Sequence, residues 1–406
     1  MDIQKIRQDF PFFAQKNADK NGKAPLVYFD NACMTIKPKS VIDAEIDYYK
    51  NYSSCGGRSV HSLGEGVSKK VDEARQQIAK FIGAKKDEII FVKNTTEAIN
   101  LVAHSFEFKS GDVILTSDKE HNSNLIPWQI AAKKSGALHE VIPSKSDNTF
   151  DLEKFERAMS AQVKMVALGL TSNLDGVTIP AKEIIKIAHK FGAKVLLDAA
   201  QAAPHQKIDV KDLDVDFLAF SGHKMLGPTG TGVLYGKKEL LEKLDPFITG
   251  GGTVDFSDYR GHHFLPVPDK FEGGLQNYAG IIGLSEAVKY LESVGWDNIS
   301  KAEKEINKFI TDELLKIDGI KIIGPENSDL RGSIISFNFK DADSHQITLM
   351  LDSSANIMTR SGQFCVHSWF GARNVAGAVR MSFYFYNSLE EAKIFVENIK
   401  KIIQIL

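Results

Sequence analysis

The sequence predicts an α/β protein with a mostly parallel central sheet, helices on both faces, and a smaller α+β domain. From about Asp87 onward, short apolar runs alternate with helical patterns, as in parallel sheets covered by helices. This alternation stops after about Gly250. The chain has 406 residues, too many for one ordinary core. We therefore expect a large domain over 28–262 and a small domain formed by 1–27 and 263–406.

In the large domain, apolar runs rich in branched residues predict strands, and the periodic segments between them predict helices. Residues 95–106 have apolar side chains at helical spacing, with Thr95 as the expected N-cap. A later helix opens with Pro180, which suits a first turn. Residues 124–136 predict a further helix. The predicted strands are 88–92, 112–117, 138–144, 164–169, 194–198 and 216–221.

The small domain follows a segment rich in Gly, Pro and Asp, residues 250–274, which predicts a loop. A helical stretch then runs from Tyr278 to about Ile317, with a break near Gly295. An N-terminal helix up to about Phe10 is expected to pack against one of the two domains. The remaining predicted elements are strands at 320–323, 333–339 and 356–360, a helix after Asp343 and a C-terminal helix from Ser388.

Composition and charge exclude several classes of protein. Apolar residues make up 43% of the chain and charged residues 25%, as in soluble globular proteins. A net charge of -2 gives no electrostatic basis for binding nucleic acid. No apolar stretch predicts a membrane span, and the first residues lack the order of a signal peptide. Cys33, Cys55 and Cys365 form no Cys-x-x-Cys pair, so no metal site is predicted and a reducing cytoplasmic setting is expected.

Polar side chains follow the ends of five predicted strands. Since open α/β sheets bind ligands at the carboxyl ends of their strands, we expect these side chains to share one crevice. They include an amine, a carboxylate, an imidazole, amides and hydroxyls. In chain order they are Thr95 and Thr96, His121, Asn173, Asp198 and Gln201, and Ser221, His223 and Lys224.

This set of groups matches what pyridoxal phosphate requires of a protein. Lys224 supplies an amine that can bond to its aldehyde, and Asp198 a carboxylate that keeps the pyridine nitrogen protonated. His121 supplies a flat ring for stacking. Amide donors for the ring oxygen are expected from Gln201 and Asn173. The phosphate is expected at a helix start with hydroxyls and an imidazole, from Thr95, Thr96, Ser221 and His223.

Each of these residues also has a purely structural explanation. Lys224 alone is more often a surface lysine, Asp198 alone equally fits a helix cap, and His121 alone fits a partly buried structural histidine. A phosphate-binding glycine loop is the rival explanation for residues 222–232. It fails on order, because Lys224 precedes most of the glycines and Met225 follows it in place of Ser or Thr. The joint pattern favours the cofactor.

Longer motifs extend this pattern over almost the whole chain. "DAAQAAPH" (198–205) precedes "FSGHKMLGPTGTGVLYG" (220–236), and "RSGQFC" (360–365) lies near the C-terminus. With these motifs the chain resembles the class V aminotransferase group of fold-type-I pyridoxal-phosphate enzymes. It is most similar to the SUF-type, NifS-like cysteine desulfurases. Further matching segments are "YFDNAC" (28–33), "RSVHSL" (58–63), "TTEAINLV" (95–102), "EHNSNLIPW" (120–128), "TSNLDG" (171–176), "FEGG" (271–274) and "GIIGLSEAV" (280–288).

The resemblance implies a role for each matching site residue. Lys224 would hold the cofactor covalently, Asp198 would contact its pyridine nitrogen, and His121 would stack on it and transfer protons. Arg380 would bind the substrate carboxylate, with Arg360 and Asn173 beside it.

Cys365 matches the catalytic cysteine of the family. The resemblance thus implies conversion of L-cysteine to L-alanine with a persulfide on Cys365, whose sulfur passes to an acceptor protein or a reductant, for iron–sulfur clusters or other thiolation. Residues 360–374 are expected to form an exposed loop, with Gly362 for flexibility. Cys33 and Cys55 are interpreted as structural residues in segments that, by the resemblance, run past the pocket.

The resemblance also implies a homodimer, because the family's loop at "FEGG", here ending in Gly274, reaches the phosphate of a neighbouring subunit. The chain departs from the family pattern at Asp175, at Leu275 and at the Gln363-Phe364 pair. Three alternatives stay open: selenocysteine lysis, another reaction of the aminotransferase type, and a cofactor-binding sulfur-relay scaffold with little turnover.

Overall fold

A computed structural model describes residues 2–16 and 25–406. Its strands confirm the apolar runs that the sequence singled out and add several others. In chain order they are β1 (Val27–Tyr28), β2 (Ile89–Val92), β3 (Val113–Ser117), β4 (Leu138–Ile142), β5 (Val163–Gly169), β6 (Lys194–Asp198), β7 (Phe217–Ser221), β8 (Gly232–Gly236), β9 (Val254–Ser257), β10 (His262–Phe264), β11 (Ile320–Ile323), β12 (Ile334–Phe339), β13 (Ile357–Met358), β14 (Arg360–Gly362) and β15 (Ala378–Ser382).

The helices cover both faces of the large sheet and one side of the small one. The predicted break in the long helical stretch is confirmed, because Gly295 separates two helices. They are α1 (Ile3–Arg7), α2 (Pro11–Lys16), α3 (Lys39–Asn51), α4 (Ser62–Phe81), α5 (Thr95–Ser105), α6 (Ile126–Ser135), α7 (Leu152–Ala158), α8 (Ala181–Lys190), α9 (Val210–Leu213), α10 (Lys238–Leu241), α11 (Tyr278–Val294), α12 (Trp296–Leu314), α13 (Ser344–Ala355), α14 (His367–Ala372) and α15 (Leu389–Ile403).

The large sheet has the strand order β2-β8-β7-β6-β5-β3-β4. Strands β3 to β7 are parallel, whereas β8 runs antiparallel to both of its neighbours, β7 and β2. Two antiparallel pairings in succession turn β2 back to the direction of β7. The carboxyl ends of β2, β3, β5, β6 and β7 therefore lie at one edge of the sheet. Between β3 and β5 the strand order reverses, which is where open α/β sheets form ligand crevices.

The smaller sheet is antiparallel, in the order β11-β12-β15-β14. Its inner face packs on α12, α13 and α15 in an apolar cluster that includes Phe337, Phe383 and Phe395. Strand β1 pairs with β13, so the chain near residue 27 adds to this part of the molecule. The domain boundaries at 28 and 263 stay predictions.

Several details differ from the sequence-based expectations. Asn94, not Thr95, is the N-cap of α5, and its side chain accepts a hydrogen bond from the Glu97 N–H. The segment 250–274, predicted as loop, contains the hairpin β9–β10. The predicted strand at 356–360 is interrupted, since β13 pairs with β1 and β14 with β15. Periodicity also failed to single out α3, α4, β8 and β15.

The N-terminal segment packs against α11, α15 and the chain just before α15. Phe10 is fully buried and lies edge-on against Tyr290 of α11 and Tyr386. Arg7 forms an ion pair with Glu391 of α15. Among the helices of residues 2–16 and 25–406, none combines the length and apolar character that a membrane crossing needs.

The residue before α5 leaves no room for a side chain at Gly232, the first residue of β8. A Cβ atom at Gly232 would lie 2.7 Å from Asn94 Cα. We expect Gly232→Ala to lower the free energy of unfolding by about 1–3 kcal/mol, because overpacking forces the backbone to shift. Gly66→Ala in α4 is the control, since nothing lies within 4 Å of its Cβ. Alanine should stabilise that helix by about 0.5–1 kcal/mol. Urea unfolding measures both, and equal effects would contradict the prediction.

Candidate active site

The carboxyl edge of the large sheet borders a cavity of about 260 Å³. Almost every candidate residue named from the sequence lines it, from both the large sheet and the small one. The lining includes Thr95, Thr96, His121, Asn173, Asp198, Gln201, Ser221, His223, Lys224, Arg360, Cys365 and Arg380. The fold thus brings these residues together, and their individual roles stay predictions.

Lys224 and Asp198 enter the cavity from neighbouring strands. Lys224 ends a short turn of helix, Gly222–Lys224, directly after β7. Desolvation lowers the pKa of its amine, and the charge of Arg380 adds to this while the Asp198 carboxylate opposes it. Burial conversely raises the pKa of Asp198. No helix follows Asp198 directly: its Oδ1 accepts the Ala200 N–H at 2.9 Å within a turn, which removes the helix-cap explanation.

His121 follows β3 and is neutral at neutral pH. Burial lowers its pKa to about 3, and the positive charges of Lys224, Arg380 and His367 contribute. Its Nδ1 accepts a hydrogen bond from the Ser123 N–H at 3.1 Å. In the neutral ring, the proton is therefore assigned to Nε2.

A buried carboxyl group, Glu120, supports the loop of His121. Its side chain accepts hydrogen bonds from the Ser117 hydroxyl at 2.5 Å, the Asn124 amide at 2.6 Å and the Gly169 N–H at 2.9 Å. Burial raises its pKa to about 7. Glu120 lines the cavity but received no role from the sequence, although it directly precedes His121 at the end of the same strand.

Hydroxyl groups cluster where α5 begins. The Thr95 N–H donates to Ser221 Oγ at 2.9 Å, and the two hydroxyl oxygens are 2.7 Å apart. Thr96 and Ser123 form a similar pair, with their hydroxyl oxygens 2.8 Å apart. Burial lowers the pKa of the adjacent His223 to about 4. The N-terminus of a helix together with several hydroxyls suits a phosphate group.

Arg380 is the most enclosed cation that lines the cavity, with 3% of its surface exposed. It lies on β15 opposite Arg360 of β14. Its Nη2 is 3.4 Å from Asp30 Oδ1, and its Nη1 donates to the Asn173 carbonyl at 3.1 Å. Arg360 is half exposed and lies 3.7 Å from Asp30. Two arginines beside one carboxylate leave net positive charge for an anionic ligand.

Cys365 lies in a tight turn between β14 and α14. Phe364 and Cys365 both have positive φ, 51° and 59°, and the Val366 N–H donates to the Gln363 carbonyl at 2.8 Å. The prediction of an exposed loop over 360–374 is wrong in part, because β14 covers Arg360–Gly362 and α14 covers His367–Ala372. The Phe364 ring is buried in an apolar cluster, and Gly362 is paired within β14. Cys365 itself is exposed at the mouth of the cavity.

The loops that follow β3 and β5 hold this turn in place. The Asn173 amide donates to the Phe364 carbonyl at 2.8 Å. The Asn122 N–H donates to the Cys365 carbonyl at 2.7 Å. These contacts hold Cys365 through backbone carbonyl groups, and they do not involve its thiol.

Gln201 provides a test of which ligand the cavity suits. Its side chain is 4% exposed, its Nε2 donates to the Ala32 carbonyl at 2.8 Å, and its Oε1 has no partner among the described residues. A buried amide oxygen without a partner favours a ligand with a polar ring substituent. Together with the amine of Lys224 and the carboxylate of Asp198, this set fits pyridoxal phosphate.

Gly274 lies outside the cavity of its own chain. Its N–H donates to the Gly251 carbonyl at 2.7 Å, and it has a positive φ of 83°. The next residue, Leu275, is 74% exposed. Neither residue of this loop is among those that line the cavity of its own chain.

Asp175, one of the departures from the family pattern, has a partner that explains it. Its fully buried carboxylate lies 2.8 Å from Lys119 Nζ, and its other oxygen accepts the Val177 N–H at 3.1 Å. Lys119 Nζ also donates to the Asn148 carbonyl at 2.5 Å. The ion pair joins the loop that carries His121 to the loop that carries Asn173.

We expect Lys119→Met to lower the free energy of unfolding by about 3–5 kcal/mol, because it leaves the buried Asp175 carboxylate unpaired. Lys316→Met is the control, since its ion pair with Glu313 is largely exposed on the Lys316 side. That variant should lose at most about 1 kcal/mol. Denaturant unfolding of both compares them, and similar small losses would show that the Lys119–Asp175 pair does not support the site.

Comparison with known proteins agrees with this geometry. The chain is 42% identical over 405 residues to a "probable cysteine desulfurase" of Halalkalibacterium halodurans, covering 99% of this chain and 98% of the relative. A cysteine desulfurase of Haloferax volcanii is 36% identical over 412 residues, covering 98% of this chain and 96% of that protein. The apo structure of a cysteine desulfurase from Thermococcus onnurineus superposes with a TM-score of 0.93 at 37% identity, covering 99% of this chain and 98% of that one.

The family model described as aminotransferase class-V matches residues 27–395. This range includes both sheets and every residue that lines the cavity. The chain belongs to the aminotransferase class-V family.

Proposed function

We propose that this protein is a pyridoxal-phosphate-dependent cysteine desulfurase that takes sulfur from L-cysteine. The observation that carries the proposal is the presence of Lys224, Asp198 and Cys365 in one cavity. The reaction joins the substrate sulfur to the Cys365 thiol and breaks the bond between that sulfur and the substrate β-carbon. L-alanine leaves, and a persulfide remains on Cys365.

The chain offers a partner for each part of the cofactor. Lys224 would hold its aldehyde covalently, and Asp198 would pair with its ring nitrogen. The hydroxyls at the start of α5, from Thr95 and Ser221, would hold its phosphate. Gln201 would face its ring oxygen. When bound, the cofactor supplies an electron sink that makes the α-proton of the substrate acidic.

Substrate binding is proposed for the positive side of the cavity. Arg380 has one buried nitrogen, Nε, without a partner among the described residues, and Arg360 lies opposite it on the adjacent strand. These two cations would hold the substrate carboxylate. Asn173 would fix the orientation of Arg380, because its carbonyl already accepts from that guanidinium.

Two groups are proposed to move protons. Lys224 has a lowered pKa, so its amine is a better base than an ordinary lysine at neutral pH. His121 is the proposed acid, which requires its pKa to rise above the value of about 3 that burial and the neighbouring positive charges set. An anionic substrate beside Arg380 would raise it, because that charge is one of its causes.

Cys365 is proposed as the nucleophile. Its sulfur is exposed and its turn is held by backbone contacts, so the thiol can meet the substrate from the mouth of the cavity. The resulting persulfide would also face outward, where an acceptor protein or a small reductant in the cytoplasm can take the sulfur.

Lys224 is tested by trapping. The purified protein should be yellow, and borohydride should fix the cofactor covalently to Lys224, as peptide mapping can determine. Lys224→Ala should lose this adduct together with alanine release from L-cysteine. An adduct on another lysine, such as the buried Lys119, would overturn the assignment.

Cys365 is tested by separating cofactor binding from sulfur transfer. Cys365→Ala should keep the yellow colour, since its neighbours are held by backbone groups, but lose sulfide production from L-cysteine. Alanine and sulfide should be measured together, with L-selenocysteine as a second substrate. Unchanged sulfide release would show that Cys365 is not the nucleophile. Turnover of selenocysteine alone would favour a lyase instead.

We also propose a homodimer in which the loop of Gly274 and Leu275 completes the site of the partner subunit. An exposed leucine beside a glycine-rich loop that lies outside its own cavity supports this. Light scattering should give a dimer, and Leu275→Asp should shift it toward monomer. Leu349→Asp is the matched control, since Leu349 is 67% exposed on α13. A wild-type monomer that retains desulfurase activity would contradict the proposal.

A further inference from the structure

The cavity contains a second thiol in addition to that of Cys365. Cys33 lines it together with Cys365, Lys224 and Arg380. Cys33 is partly buried, whereas Cys365 is exposed. The structure thus places Cys33 beside the chemistry, and its interpretation as a structural cysteine stays a prediction.

The backbone around Cys33 is fixed on several sides. The Ala32 carbonyl accepts a hydrogen bond from the Gln201 amide at 2.8 Å, and the Ala32 N–H donates to Ser382 Oγ at 2.8 Å. The Cys33 N–H donates to the Asp30 carbonyl at 3.2 Å. The backbone that carries Cys33 is consequently fixed at the border of the cavity.

Two cations, Lys224 and Arg380, line the cavity together with both thiols. Arg380 also pairs with Asp30, whose carbonyl accepts the hydrogen bond from the Cys33 N–H. Thiolates, not thiols, are the attacking species in exchange at sulfur.

We propose that Cys33 is a second sulfur-accepting thiol, which takes the terminal sulfur from the persulfide on Cys365. This rests on the proposed function, which supplies that persulfide. The Cys33 thiolate attacks the outer sulfur, a new S–S bond forms at Cys33, and the old S–S bond breaks. Cys365 leaves as a thiolate and regains the proton that Cys33 lost. One S–S bond replaces another, so no oxidant or reductant is consumed.

Because Cys33 is less exposed than Cys365, the transfer would move the sulfur to a less accessible position. A persulfide on Cys365 faces solvent, where reductants can remove its sulfur at once. On Cys33 the sulfur would lie deeper in the cavity, and Cys365 would be free for a second substrate molecule. The enzyme would then retain sulfur when no acceptor is present.

The test maps persulfides on the holoenzyme. The protein is incubated with L-cysteine carrying isotopically labelled sulfur, without reductant, and is alkylated in its native state before digestion and mass spectrometry. In the wild type, labelled sulfur is expected on both the Cys33 and the Cys365 peptides. Cys33→Ala should lose the first label and keep the second. Cys365→Ala should lose both, because sulfur reaches Cys33 only through Cys365.

Cys55 is the matched control thiol. It is partly buried like Cys33 but does not line the cavity, so its peptide should stay unlabelled and Cys55→Ala should keep both labels. Label on Cys365 but never on Cys33 would overturn the inference and leave the proposed function standing. Label on Cys33 in Cys365→Ala, or a Cys33–Cys365 disulfide, would also overturn it. Label on neither residue of the wild type would overturn the proposed function itself.

Discussion

The architecture of the site depends on the contact between Arg380, Asn173 and Phe364. Arg380 comes from the small sheet, Asn173 from the loop after β5, and Phe364 from the turn of Cys365. Arg380 donates to the Asn173 carbonyl at 3.1 Å, the Asn173 amide donates to the Phe364 carbonyl at 2.8 Å, and the guanidinium lies 4.8 Å from the Phe364 ring centroid. Each residue thus fixes the next. These contacts join the small sheet and the turn of Cys365 to the loop after β5, at the border of the cavity.

Burial is the second constraint on the site, and it shifts the pKa values of bases and of acids in opposite directions. It lowers the pKa values of Lys224 and His121 and raises those of Asp198 and Glu120. All four shifts favour the neutral forms, as expected in a poorly hydrated site. A ligand that brings its own negative charges would reverse part of this, because it would screen the cations from one another. The cavity is therefore electrostatically suited to an anionic ligand.

A site residue could be predicted from the sequence when the residues that position it are close to it along the chain. Lys224, Asp198 and His121 directly follow buried strands, and parallel strands bring such ends together, so local patterns were enough. Cys33 follows β1, whose position depends on pairing with β13 more than 300 residues away. No pattern in the residues around Cys33 could predict this pairing. The Lys119–Asp175 pair was missed for the same reason, since each residue alone resembles an ordinary loop residue.

The conformation of the turn at Cys365 could not be predicted from the sequence for a different reason. That reason also bears on the chemistry of Cys365. Left-handed conformation costs a residue with a side chain roughly 1–2 kcal/mol, so two such residues in succession are expected only with glycine or asparagine. Here Phe364 and Cys365 adopt it because ring burial and two hydrogen bonds to the turn's carbonyls compensate. None of these contacts involves the thiol. The strain is thus compensated by the backbone and by Phe364, and the Cys365 sulfur stays available at the boundary between the cavity and solvent.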